Sequence, residues 1–116
     1  MMRKLFLIAA LIFGSTGANA QSGPRAYIAE SCVVSEAVKL SKDNQESPET
    51  LAEVAVTQCE EHLPAARQEI FERAVIGFGG RSDQAERATY TLMNDFIEQM
   101  KSMAISAIVI DRLSKP

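Results

Sequence analysis

The chain has 116 residues, with 12 Lys plus Arg against 15 Asp plus Glu, two Cys, one His and no Trp. That length permits one domain and excludes Rossmann and (β/α)8-barrel enzymes, which need far more chain. The acidic balance disfavours nucleic acid and anionic lipid as partners, and the basic residues are spread out with no interleaved aromatics.

Residues 1–20 read as a secretory signal peptide. Arg3 and Lys4 make a positive start, Leu5 to Phe13 is an unbroken apolar run of nine, and Ala18-Asn19-Ala20 closes a small, polar stretch. A membrane span needs about 20 apolar residues, so this run is too short for an anchor. Cleavage is expected between Ala20 and Gln21, with export to the periplasm or medium. No Cys near the site offers a lipid anchor, and no twin-Arg pattern is present. The mature chain, 21–116, is expected to be a single helical domain. It keeps 10 basic and 15 acidic side chains, a net charge of −5. A domain of this size buries only a modest core and often needs a staple.

No window alternates strictly, so strands are not signalled. Four helical segments are. The first runs over about 25–42 and gathers Ala26, Ala29, Val33, Val34, Ala37, Val38 and Leu40 on one face. Turn formers at 43–47 end it. The second opens on Ser47-Pro48-Glu49: a hydroxyl for the N-cap, a proline at the first helical position and an acid facing the dipole. Its apolar side carries Leu51, Ala52, Val54, Ala55, Cys59 and Leu63. Pro64 either kinks this helix or starts a third over about 65–76. Gly77-Phe78-Gly79-Gly80 ends that one. The fourth starts after Ser82, read as its N-cap, and reaches about Leu113. Its stripe is Ala85, Thr89, Leu92, Met93, Phe96, Met100, Met103, Ala107 and Ile110. The fold class is therefore all-α: a small bundle of three to four helices, stapled by a disulfide.

The staple rests on a spacing argument. Cys32 and Cys59 are the only cysteines, and export implies an oxidising compartment. The midpoint between them falls inside the turn at 43–47, so an antiparallel hairpin sets them level. Closing a loop of this size contributes about 3.5 kcal/mol in the chain-entropy account. A metal site would need more ligands, and there is no C-x-x-C.

Other chemistry is thin. His62 follows Glu60 and Glu61, which suggests a general base with an orienting carboxylate; a histidine closing a helix end is the plainer reading. Glu30 falls within the apolar arc of the first segment. It reads as an acid reaching water from a frayed first turn, with a pH-sensitive buried acid as the alternative. Met93, Met100 and Met103 could bind Cu(I), but a methionine stripe at helical spacing reads as core filler. Gly77 to Gly80 lacks the phosphate-loop pattern and reads as a turn. No cofactor and no metal is expected.

The end of the fourth helix is apolar nearly all round. Ile105 and Val109 point away from the stripe, and with Ile108 they form the expected interface for a protein partner or a second copy. No stable membrane span is expected. No motif defines a family. The expected function is that of a small exported, non-enzymatic protein that binds or protects other proteins, of chaperone, inhibitor or immunity type. The alternatives are a helical carrier of a small apolar ligand and an enzyme using His62 with Glu60 or Glu61.

Overall fold

The computed structural model describes residues 23–115; the expected signal peptide and its Ala20-Gln21 cleavage point lie outside them. Within them the chain is a disulfide-stapled all-α bundle: α1 (Pro24–Asp43), α2 (Pro48–Gln58), a 3-10 turn (Glu60–His62), α3 (Leu63–Gly77) and α4 (Ser82–Leu113).

Local chemistry sets the boundaries. Pro24, Pro48 and Pro64 each sit in the first turn of a helix, where a missing N–H has no partner to lose. Ser47 caps α2 as its sequence predicts, its hydroxyl accepting from the Thr50 N–H at 3.2 Å. Pro64 starts a helix rather than kinking one: α2 ends at Gln58, the 3-10 turn intervenes, and α3 begins one residue before the proline. Gly79 and Gly80 have φ of 66° and 88°, which only glycine adopts freely. The Gly80 N–H reaches the Val75 carbonyl at 2.8 Å and the Gly79 N–H the Ile76 carbonyl at 3.1 Å, the Schellman pattern. Ser82 is not the N-cap of α4. Arg81 holds that position in extended conformation, without a side-chain cap, because the helix follows directly on the glycine turn.

α1 and α2 form the expected antiparallel hairpin. Cys32 and Cys59 are bonded across it, with Cα atoms 6.0 Å apart. α3 continues the hairpin's return leg past the start of α1, and α4 returns antiparallel to α3, with Arg67 paired to Glu86 at 2.8 Å. At its far end Arg112 donates to the Asn44 and Glu46 carbonyls at 3.2 and 2.8 Å, so α4 finishes at the α1–α2 turn. α1 and α4 therefore run parallel. The core joins Ala26, Ala29, Val33 and Ala37 of α1 to Leu51, Ala52, Ala55 and Cys59, to Ala66 of α3, and to Phe96, Met100, Ala104 and Ile108 of α4. The small α1 side chains let three neighbours approach closely. Two buried hydroxyls are satisfied within their own helices, Ser41 to the Val38 carbonyl and Thr89 to the Ala85 carbonyl.

The stripe of α4 departs from the expected one. Its buried side is Ala85, Thr89, Phe96, Met100, Ala104 and Ile108, with Met93 packed against the core. Most of these steps are four residues, and four residues turn 400°. The buried sector thus rotates by about 140° along the helix at 100° per residue. A fixed sector places Ile110 inside and Ile108 outside. The rotation exchanges them: Ile108 is fully buried and Ile110 is 66 % exposed.

Candidate docking groove

Between the parallel α1 and α4 lies a groove of about 370 Å³, lined by Tyr27, Glu30, Ser31, Val34 and Ser35 of α1 and by Met103 of α4. Its walls follow from helical phase. Tyr27, Val34 and the serines stand beside the buried Ala26–Ala37 face on the α4 side. Leu92, Met103 and Ile110 are 11 and 7 residues apart, whole numbers of turns, so they share one line along α4. Leu92 and Met103 are each 38 % exposed, and Tyr27 is 65 % exposed. An apolar strip thus runs along α4 and meets the groove at Met103.

Glu30 sits where core and groove meet. It is 8 % exposed and lies in the formed second turn of α1, not in a frayed end. Most of its side chain is covered, but its carboxylate oxygens are not sealed from solvent and open on the groove, so the expected contact with water holds while the expected frayed turn does not. Burial pushes its carboxyl above the ordinary range. No hydrogen bond or ion pair engages it among the described residues, although seven ion pairs are formed elsewhere.

The other expected site residues do not converge. Cys32 and Cys59 are bonded to each other and leave no thiol. His62 is half-buried in the 3-10 turn, its backbone N–H on the Cys59 carbonyl at 3.0 Å. No hydrogen bond or ion pair among the described residues joins its ring to Glu60 or Glu61, which are exposed. Among the described residues no three His, Cys, Asp or Glu side chains cluster as metal ligands would. Met100 fills the core, Met93 packs against it and Met103 lines the groove. Ile105, Ile108 and Val109 do not form one surface. Ile108 is core, Ile105 packs against the core, and Val109 is 40 % exposed, because the buried sector has rotated onto their side of the helix. The exposed apolar line lies on the opposite edge, at Leu92, Met103 and Ile110.

One residue escaped sequence reasoning altogether. Glu69 of α3 is buried against the start of α1, where its Oε2 accepts from the Arg25 N–H and its Oε1 from the Ala26 N–H, both at 3.0 Å. α1 needs this cap: Gly23 offers no side chain, and the first turn holds no acid. Burial drives the Glu69 carboxyl up, but the two N–H donors and the charges of Arg25 and Arg73 outweigh it and hold it below its ordinary range. Gly23 makes room. A Cβ there would stand 2.5–2.7 Å from the Glu69 carboxylate atoms. The one local hint is an uncapped helix start at Gly23-Pro24, which demands an acceptor from somewhere.

No family model, curated protein or solved structure matches the chain. No helix among the described residues is long and apolar enough to cross a membrane.

Proposed function

We propose that this is a small exported, non-enzymatic protein that binds or protects another polypeptide along the face shared by α1 and α4. The observation that carries this reading is the apolar line of Leu92, Met103 and Ile110 beside Tyr27, exposed on a bundle whose small core needs every apolar group it can bury. Export is supported by the three-part pattern of residues 1–20 and by the Cys32–Cys59 bond, which persists in an oxidising compartment. A role without catalysis is supported by the ionisable groups: among the described residues no hydrogen bond or ion pair engages the His62 ring, and both cysteine sulfurs are bonded in the staple.

The test is suppression of aggregation of a chemically denatured secreted enzyme, followed by light scattering at increasing ratios of the mature protein. The wild type is expected to suppress scattering, and the pair Met103→Asp with Ile110→Asp to lose that effect while keeping its helicity. A wild type without effect, or a double variant equal to it, overturns the reading.

A further inference from the structure

The groove contains a contradiction that its apolar walls do not explain. Glu30 is more than nine-tenths buried, lines the groove, and has no hydrogen-bond or ion-pair partner among the described residues. Its carboxylate oxygens are not sealed from solvent but open on the groove with the rest of the side chain covered; a carboxylate short of part of its hydration is unfavourable, and a cation brought to it offsets that deficit. Tyr27, exposed on the same wall one turn away, offers an aromatic face to the same cation.

We infer that the groove receives a lysine or arginine side chain carried on an apolar helical segment of a partner polypeptide, with Glu30 as its counter-ion. This rests on the docking role proposed above and names the chemistry of the partner. A segment fits better than a free amine. The groove is open along two parallel helices, and Leu92 to Ile110 spans about 27 Å at 1.5 Å per residue, the length of several turns of a docked helix. A small ammonium ion would leave that line uncovered and would keep most of its water. A second copy fits poorly. The groove lining contains no Lys or Arg, and the exposed edge of α4 that continues it, with Leu92, Asp95, Gln99, Met103, Ser106 and Ile110, has none either. Two such faces laid together would bring Glu30 no counter-charge from these residues. A basic residue flanked by apolar side chains at helical spacing supplies both the charge and the cover.

The experiment is a display selection on the full mature protein. The library is an amphipathic helical peptide whose central position is varied among Lys, Arg, Gln, Leu and Glu, with flanking apolar positions varied among aliphatic and aromatic residues. Selection on the wild type is expected to enrich Lys or Arg at one register. The enriched peptide should lose at least about tenfold in affinity on Glu30→Gln, and as much when its basic residue becomes Gln. Glu30→Gln keeps the side-chain shape, and its unchanged circular dichroism with a cooperative melt no lower than that of the wild type will show that folding is intact. Enriched peptides without a basic preference, still displaced by Met103→Asp, would overturn the inference and leave the docking role standing. No enrichment on any target would overturn both. Hexylammonium that competes with the enriched peptide for Glu30 at equal concentration would show a small-cation site instead. So would a stable dimer in sedimentation that dissociates on Glu30→Gln show self-pairing, and either outcome overturns the inference.

Discussion

Glu69→Gln isolates the contact that docks α3 onto α1. Glu69 accepts two backbone N–H bonds at 3.0 Å, from Arg25 and Ala26, and faces the Arg25 guanidinium at 3.6 Å. Glutamine keeps one acceptor oxygen, turns an amide N–H towards the second donor, and removes the negative charge from the positive end of α1. A hydrogen bond to a charged group contributes about 1.5–3 kcal/mol, and an acid at a helix N-terminus about 0.3–1 kcal/mol more. The Arg25 N–H is only partly buried, so water replaces some of what is lost there. The expected cost is about 2–3 kcal/mol near neutral pH, a large share of a total near 5–15 kcal/mol. The pH dependence identifies the cause. The folded-state carboxyl is held below its unfolded value of 4.5. Its contribution is therefore complete above that value and is lost as the pH falls through the lowered one. Urea unfolding of both proteins from about pH 7 down to about pH 3 should show a gap that closes in acid. Equal stability at neutral pH, or a gap of constant size at every pH, would refute the assignment of Glu69 as the cap of α1.

Four further perturbations separate the remaining claims. Gly23→Ala places a Cβ within 2.5–2.7 Å of the Glu69 carboxylate and should force it off the α1 N-terminus; the cost is expected at about 1–2 kcal/mol, and in a double-mutant cycle with Glu69→Ala the double variant should cost less than the sum of the two single variants. Cys32→Ser opens a bond between residues 27 apart and should cost about 2–5 kcal/mol by urea unfolding, with mature wild type running faster on non-reducing than on reducing gels. Glu30→Gln should raise the urea midpoint near neutral pH, because a carboxyl pushed up by burial favours folding only while protonated; the gain should vanish below the ordinary carboxylate range, and a loss of stability at neutral pH would count against an unpartnered Glu30. Ile108→Glu should abolish the cooperative melt, while Ile110→Glu, two residues on, should leave it nearly unchanged, since one is fully buried and the other 66 % exposed.

Much of this fold is written in short stretches of chain. Proline in the first turn of α1, α2 and α3, the Ser47 hydroxyl three residues before the Thr50 N–H, and two glycines in left-handed conformation after Gly77 each act on neighbours within five residues. Such signals need no tertiary context, so helix number and approximate limits are legible. The disulfide is legible for a related reason: one turn at 44–47 sets the register of the hairpin, and the register sets Cys32 level with Cys59. The direction in which α4 faces is a different kind of question. Periodicity shows a broad apolar sector, but where its edge falls depends on which helices lie against it. α4 meets α3 near its start and the α1–α2 turn at its end, so the buried sector rotates, Ile108 turns inward and Ile110 outward. The Glu69 cap spans 43 and 44 residues of sequence, beyond the reach of any local pattern. Glu30 shows the limit most plainly. Its phase on α1 could be read from the chain, but how much of it was covered was decided only when Met103 of α4 came to line the same groove, because desolvation is a property of the assembled neighbours and not of the residue.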